Sequence, residues 1–184
     1  KFKGGDIMSD AHYDMHKRNG YSSDEPYPEI KVLGPNKYYA ELLMDDYAGI
    51  SSEFTSVNQY LYHNFDLDET HRELSEMWIN ISITEMLHME ILAKTIRLLG
   101  GNPVYRGSTS SCGAYWNGGF VCYGNSICNR LKLDLHLEHV AINNYYKDIS
   151  LIEDPYIKAI LNRIILDEKL HVSLFEKAIE KYCK

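Results

Sequence analysis

The chain has 184 residues, of which 45% are hydrophobic and 24% are charged, and its formal net charge is −7 at pH 7. A chain of this length can bury a substantial core as one domain without disulfides or a structural metal. The modest negative charge argues against a surface for nucleic acid or anionic lipid, and no apolar run reaches the ~18 residues of a membrane span. We therefore expect no nucleic-acid partner and no membrane partner.

Residues 1–36 are predicted to form an extended N-terminal arm, because glycine and proline interrupt the segment and no apolar period is sustained there. His12 and His16 stand four positions apart and could hold a metal ion if the segment were helical. Their polar flanks and the nearby Gly20 favour a solvated segment instead. We therefore expect no metal site at these two histidines.

Helical periodicity begins at Lys37 and continues to Phe65, which predicts the first helix of a bundle. Asp66-Leu67-Asp68 predicts a turn, and a second helix then extends to Leu99, where Gly-Gly-Asn-Pro terminates it. The apolar positions of the first helix fall near one side: Leu42, Leu43, Tyr47, Ile50, Phe54, Val57 and Leu61.

Residues 100–128 are rich in glycine, serine and tyrosine and lack a helical period, which predicts a long crossover connection. A third helix is predicted from about Asn129 to Leu151. A fourth begins at Pro155, a residue suited to a first helical position, and runs to about Tyr182. Residues 37–184 are therefore expected to be an all-α, ferritin-like four-helix bundle of two antiparallel hairpins joined by one crossover.

The second and fourth predicted helices carry the same short motif, a glutamate followed three positions later by a histidine. The pairs are Glu85 with His88 and Glu168 with His171. Side chains three positions apart on a helix share a face, so each pair can offer a carboxylate and an imidazole to one metal ion. Such pairs also arise by chance, so the motif requires context.

The context is the height of each motif along its hairpin. Glu53 precedes and Glu85 follows the first turn, near residue 69, by sixteen positions, and Glu138 and Glu168 flank the second turn, near residue 153, by fifteen. Equal counts from a turn mean equal height in an antiparallel pair, at about 1.5 Å per residue. Docked face to face, the hairpins would bring four glutamates and two histidines together.

Four carboxylates inside a bundle are unfavourable unless cations neutralise them, and two divalent ions would balance their charge. Glutamates from two helices with Glu-x-x-His from the other two are the ligand set of di-iron and di-manganese bundles. The alternative is four solvent-facing glutamates with incidental histidines. The apolar neighbours of Glu53, Glu138 and Glu168 favour the metal site.

Two tyrosines and an aspartate are candidates for supporting this site. Tyr60 follows Glu53 by seven positions and Tyr145 follows Glu138 by seven. Each tyrosine could therefore hydrogen-bond a carboxylate of the other hairpin, or could simply be a core residue. Asp167 could orient His88, whereas Thr84 stands at the equivalent position in the first half.

Asp134 lies one turn before Glu138 and could be an extra ligand, although an acid near the helix start is favoured. The other histidines after the arm are interpreted as surface or interhelical polar residues: His63, His71, His136 and His139.

The four cysteines, Cys112, Cys122, Cys128 and Cys183, form no CxxC pair, so no zinc ribbon or rubredoxin-type site is predicted. We expect free thiols in a reducing cytoplasm, where the lack of a signal-peptide pattern also places the chain. A disulfide within the crossover, which holds three of the four, is the alternative.

The chain resembles the ferritin-like superfamily over residues from about 37 to 182. Within it, LKLDLHLEHVAINNYYKDISLIEDPYIKAILNRIILDEKLHVSLFE is similar to the manganese-catalase-like and spore-coat catalase-like proteins. SSEFTSVNQYLYHNF and SITEMLHMEIL also resemble the rubrerythrins. The resemblance implies that Glu85 and Glu168 are bridging carboxylates in a ligand set made up of Glu53, Glu85, His88, Glu138, Glu168 and His171.

Three departures qualify the resemblance. Rubrerythrins place a further glutamate where this chain has Ala141, and they append a rubredoxin domain with paired CxxC motifs that is missing here. Manganese catalases carry a C-terminal extension, which we do not expect here because the 184 residues show no counterpart of it. Electron delivery through an attached rubredoxin domain is therefore not expected.

The sequence favours a peroxide-consuming oxidoreductase with two iron or manganese ions per chain. Glu85, Glu168, Tyr60 and Tyr145 are the expected catalytic residues. Hydrogen peroxide or dioxygen would be the substrate, and an iron form would need an external electron donor. Aromatic residues in the crossover suggest a homo-oligomer. The alternatives are an Fe(II)-oxidising iron-handling protein and a structural coat protein that retains the site.

Overall fold

The computed structural model describes residues 20–67 and 71–184, and the regular structure in this part of the chain is helical. A single turn of 3₁₀ helix, Gly118–Phe120, lies in the connection between the two hairpins. His12 and His16 lie outside the described residues. The α-helices are α1 (Lys37–Ala48), α2 (Glu53–Phe65), α3 (Arg72–Leu98), α4 (Ile127–Leu151) and α5 (Pro155–Tyr182).

Helices α2 and α3 pack together as one hairpin, and α4 and α5 as the other. The two hairpins dock through α3 with α5 and α2 with α4, and α1 packs mainly on α3. This confirms the predicted ferritin-like bundle with its long crossover. Among the described residues no helix is long and apolar enough to cross a membrane.

The prediction of one helix from Lys37 to Phe65 is wrong, because the chain breaks between Ala48 and Glu53. Gly49 is extended, and a Cβ there would lie 2.5 Å from the Asp45 carbonyl oxygen, so the break requires glycine. The Ser52 side chain caps α2 by accepting from the Thr55 N–H at 3.3 Å. The break was not predicted because the apolar period continues through it in the sequence. Ile50, one of the apolar positions in that period, is in fact 42% exposed.

The arm residues 20–36 contain no helix, as predicted, but they lie along the bundle instead of extending into solvent. Asp154, the N-cap of α5, accepts from the Tyr156 N–H at 2.9 Å and from the arm's Leu33 N–H at 2.6 Å. Pro155 occupies the first turn of α5, as predicted. The start of α5 therefore also anchors the arm.

Two buried apolar clusters fill the bundle above and below a polar layer. On α3, Trp78 and Ile81 belong to one cluster and Ile91 to the other. Glu85 and His88 lie between them. Helix α5 passes the two clusters in the reverse order, with Ile164 before its motif and Phe175 after it, so the polar layer is closed at both ends by apolar side chains.

The structure corrects the prediction of free thiols for two of the four cysteines. Cys128, at the start of α4, forms a disulfide with Cys183, just after α5, with their Cα atoms 5.4 Å apart. Cys112 and Cys122 are free and exposed, so no disulfide forms within the crossover. The antiparallel pairing of α4 with α5 explains the bond, because it brings residues far apart in the sequence to the same end of the bundle.

Candidate metal centre

The six predicted metal-binding side chains meet in the polar layer at the centre of the bundle. Each is at most 4% exposed. Glu53 begins α2, Glu85 and His88 lie on α3, Glu138 lies on α4, and Glu168 and His171 lie on α5. All four helices of the two hairpins therefore contribute to one site, at the height expected from the turn-to-turn counts.

These side chains form two overlapping groups with the spacing of metal ligands. One group is Glu53, Glu85, His88 and Glu168, and the other is Glu85, Glu138, Glu168 and His171. Within each group, one donor atom from each residue lies within 4.8 Å of all the others. Glu85 and Glu168 belong to both groups, so the arrangement has room for two ions with two carboxylates between them.

Each histidine directs Nδ1 toward three carboxylates. His88 Nδ1 lies 3.0 Å from Glu85 Oε2, 3.0 Å from Glu168 Oε1 and 3.4 Å from Glu53 Oε2. His171 Nδ1 lies 2.9 Å from Glu85 Oε1, 3.4 Å from Glu168 Oε2 and 3.7 Å from Glu138 Oε2. The two halves of the site are therefore near copies of each other.

Three of these buried atoms have no hydrogen-bond partner among the described residues: Glu85 Oε1, Glu168 Oε1 and His171 Nδ1. The first and third are only 2.9 Å apart, yet they lack hydrogen-bond alignment. Buried polar atoms rarely go without partners, but converging lone pairs are what a cation requires. Carboxylate oxygens with imidazole nitrogens suit manganese and iron, so the residues present fit a dimetal centre.

Crowded carboxylates determine the pKa values of the ionisable groups in the site when no metal is bound. Burial raises the pKa of Glu53 and Glu138 well above the usual range, and neighbouring glutamates raise both further. Burial also opposes ionisation of Glu85 and Glu168, but hydrogen bonds and the nearby imidazoles lower the pKa of both. The two histidines are buried, yet the surrounding negative groups raise the pKa of each. Protons therefore balance part of the charge that cations would neutralise.

Both predicted tyrosine contacts cross from one hairpin to the other. The Tyr60 hydroxyl donates to Glu138 Oε1 at 2.5 Å, and the Tyr145 hydroxyl donates to Glu53 Oε1. Each tyrosine is completely or almost completely buried. The carboxylates held in this way, those of Glu138 and Glu53, each belong to only one of the two ligand groups.

The outer nitrogens of the histidines have different partners in the two halves. His88 Nε2 lies 3.0 Å from Asp167 Oδ2, as predicted, whereas His171 Nε2 lies 2.9 Å from the Tyr21 carbonyl oxygen in the arm. Thr84, the counterpart of Asp167, instead contacts Ser22 at 3.2 Å. The asymmetry was predicted from the sequence. The contact between the arm and His171 was not predicted, because no motif in the arm indicates contact with the site.

Asp134 lies outside both ligand groups, and the interpretation of this residue as a helix-start acid is wrong. It is fully buried in the third turn of α4 and accepts from Gln59 Nε2 at 2.7 Å and Trp78 Nε1 at 2.8 Å. His63 Nδ1 lies 2.9 Å away, so that histidine is interhelical, as predicted. His136 and His139 are exposed.

Comparisons with known proteins agree with this geometry. The family model for the ferritin-like domain matches residues 48–183. A probable manganese catalase of Clostridium acetobutylicum is 26% identical over 171 residues, covering 83% of this chain and 75% of that protein.

Solved structures with a similar fold include a manganese catalase and a bacterioferritin. KatB, a manganese catalase from Anabaena, superposes with a TM-score of 0.78 at 22% identity, covering 88% of this chain and 80% of its own. BfrA, a bacterioferritin of Mycobacterium tuberculosis, superposes with a TM-score of 0.67 at 24% identity, covering 80% and 87%. At these identities the structural likeness establishes the fold alone.

Proposed function

This chain belongs to the ferritin-like domain family, and on that basis we propose that it is a dimetal oxidoreductase that disproportionates hydrogen peroxide. The observation that carries the proposal is the pair of overlapping ligand groups that share Glu85 and Glu168. The similarity to a probable manganese catalase over 171 residues supports peroxide as the substrate.

The residues of each group define a separate half-site. Glu53 and His88 would hold one ion, Glu138 and His171 the other, and the shared glutamates would bridge them. A bound pair of manganese or iron ions would exchange two electrons with peroxide. Hard oxygen donors with one imidazole for each ion accommodate both metals.

The protein's own groups orient the site and keep it dry. The apolar clusters on either side of the polar layer restrict bulk water, and the cross-hairpin bonds from Tyr60 and Tyr145 fix the terminal carboxylates. Glu85 and Glu168 lie at the shared position, where a carboxylate can accept a proton from one peroxide and return it to the next. Two peroxides then give two waters and one dioxygen, so no outside reductant is required.

A second candidate is Fe(II) oxidation for iron handling, which the structural likeness to a bacterioferritin favours. The same six side chains would then hold iron, and dioxygen or peroxide would be the oxidant. Iron storage needs a shell-forming oligomer, whereas peroxide disproportionation does not. We expect a homo-oligomer in either case. The mass of the native assembly therefore helps to distinguish the two functions, because only iron storage needs a shell.

The test is oxygen release from peroxide by protein loaded separately with Mn(II) and Fe(II). We expect the manganese form to release about one dioxygen for every two peroxides consumed, without added reductant. Glu168→Ala should abolish release, whereas Glu176→Ala, at an exposed position on the same helix, should not. Fe(II) oxidation without oxygen release from either form would overturn the peroxide proposal in favour of iron handling.

A further inference from the structure

We infer that residues 21–27 of the arm, here called the clasp, are a positioning element that fixes the orientation of both site histidines. The inference rests on the proposed metal centre and deepens it. His88 and His171 lie on different hairpins, and both outer ring nitrogens face the side of the bundle on which the clasp lies. The clasp is therefore in a position to act on both halves of the site at once.

The contact with His171 is direct. The Tyr21 carbonyl oxygen lies 2.9 Å from Nε2 of this fully buried ring. A carbonyl can only accept, so Nε2 must carry a hydrogen, which leaves Nδ1 as the nitrogen that would bind a metal ion. The clasp is held at this point by Thr84, whose hydroxyl lies 3.3 Å from the same carbonyl and 3.2 Å from Ser22 Oγ.

The contact with His88 runs through Asp167. Asp167 Oδ2 lies 3.0 Å from His88 Nε2 and also accepts from the Tyr27 hydroxyl. Asp167 Oδ1 accepts from the Ser23 N–H at 2.6 Å. The clasp therefore engages both oxygens of the carboxylate that orients His88.

Arg163 fastens the clasp to α5 and balances the charge of Asp167. Its Nη1 lies 2.8 Å from Asp167 Oδ1, its Nε donates to the Glu25 carbonyl oxygen at 2.8 Å, and its Nη2 donates to the Ser23 carbonyl oxygen at 3.0 Å. The guanidinium also stacks 3.9 Å from the centre of the Tyr27 ring. This side chain is only 4% exposed, so its interactions with the clasp are shielded from water.

Together these contacts require a hydrogen on Nε2 of both rings. Asp167, with its charge balanced by Arg163, leaves the hydrogen on His88 Nε2, just as the Tyr21 carbonyl leaves it on His171 Nε2. Both rings would then present Nδ1 to bound metal ions. Outer partners of metal-binding histidines typically account for about 10–100-fold in metal affinity, so loosening the clasp should weaken metal binding without removing any ligand.

The experiment compares Tyr27→Phe with wild type and with Tyr38→Phe, a control at a position that is 57% exposed. Tyr27→Phe keeps the ring beside Arg163 and removes only the hydroxyl that reaches Asp167. Mn(II) affinity is measured by chelator competition, and the visible spectrum of the Co(II)-loaded protein reports the ligand field at the histidines. Tyr27→Phe should weaken Mn(II) binding about tenfold and shift the Co(II) bands, whereas Tyr38→Phe should change neither.

Unchanged affinity and an unchanged Co(II) spectrum in Tyr27→Phe would overturn the inference. If Tyr27→Phe does not fold, Thr84→Val decides instead, because it removes the hydroxyl that holds the Tyr21 end of the clasp, and the same two readouts apply. Failure of wild type to bind Mn(II) or Co(II) would instead refute the metal centre itself, so the two failures are distinguishable.

Discussion

Tyr60 of the first hairpin donates its hydroxyl to Glu138 of the second at 2.5 Å, in the interior of the bundle. Tyr145 and Glu53 make the reciprocal contact. Burial raises the pKa of the Tyr60 hydroxyl well above its usual range, which keeps the group protonated and able to donate at neutral pH. The two hairpins are therefore joined at the height of the site by two hydrogen bonds that run in opposite directions.

Replacing Tyr60 with Phe should destabilise the metal-loaded protein by about 1.5–3 kcal/mol, the usual contribution of a hydrogen bond to a charged group. Urea unfolding gives this difference, and Tyr115→Phe, at a position that is 70% exposed, is the matched control. A free energy of unfolding equal to that of the control would show that the Glu138 carboxylate does not depend on this bond.

Asp134 connects three buried donors, so its removal should be among the most destabilising substitutions outside the site. Asp134→Ala would leave Gln59, His63 and Trp78 without their shared acceptor, which predicts a loss of about 3–5 kcal/mol. Asp134→Asn keeps one acceptor oxygen and should lose less. Urea unfolding of the two variants tests this, and a loss below about 1 kcal/mol for Asp134→Ala would contradict the central role of this carboxylate.

The Cys128–Cys183 disulfide closes a loop with a sequence separation of 55 residues that contains the whole second hairpin. Cys183→Ser should therefore lower the free energy of unfolding by about 2–4 kcal/mol. Cys112→Ser changes an exposed free thiol and should have little effect. Thiol titration of the unreduced, denatured protein checks the pairing directly. Two titratable thiols are expected per chain, and four would show that the bond does not form.

A buried pair of aspartates predicts how stability depends on pH. Asp46 on α1 and Asp148 on α4 are each 5% exposed. Burial raises the pKa of Asp46 well above its usual range, and the charge of Asp148 raises it further. An unfolded chain releases this proton near pH 3.9, so the folded chain holds a proton that the unfolded chain has lost. The stabilisation is complete below that pH and is lost as pH rises through the folded pKa.

The variant Asp46→Asn cannot ionise and should retain this stabilisation at high pH. Thermal unfolding from about pH 5 to pH 8 should therefore show the variant gaining stability relative to wild type as the pH rises. Glu176→Gln, which neutralises an exposed carboxylate, is the control. A constant difference between Asp46→Asn and wild type across this range would show that Asp46 does not titrate there.

Helical periodicity predicted the bundle, and the Glu-x-x-His motif with the counts from the two turns predicted the six side chains that meet at its centre. The count succeeds because antiparallel helices keep a fixed rise per residue, so Glu53 and Glu85 must lie at one height. Cys128 and Cys183 also flank the second turn, by 25 and 30 positions from residue 153, and lie at the same end of the bundle. Their pairing was missed because the cysteines were compared only within the crossover.

Other features carried little signal in the sequence. The break at Gly49 depends on close packing against the Asp45 carbonyl, whereas the apolar period runs on through it. Contact of the clasp with both histidines depends on a backbone carbonyl, that of Tyr21, and a carbonyl is the same in every residue. Arg163 lies four positions before Asp167 on the same helix, and this spacing could have predicted their ion pair.

Elemental mass spectrometry on protein purified without chelators tests the dimetal centre most directly. The account predicts about two manganese or iron ions per wild-type chain. It predicts clearly fewer in His88→Ala and Glu168→Ala, whose thermal stability should fall because the remaining carboxylates are no longer fully neutralised. Unchanged metal content in both variants would contradict the ligand assignment, and a wild-type chain without metal after reconstitution with either ion would contradict the dimetal centre itself.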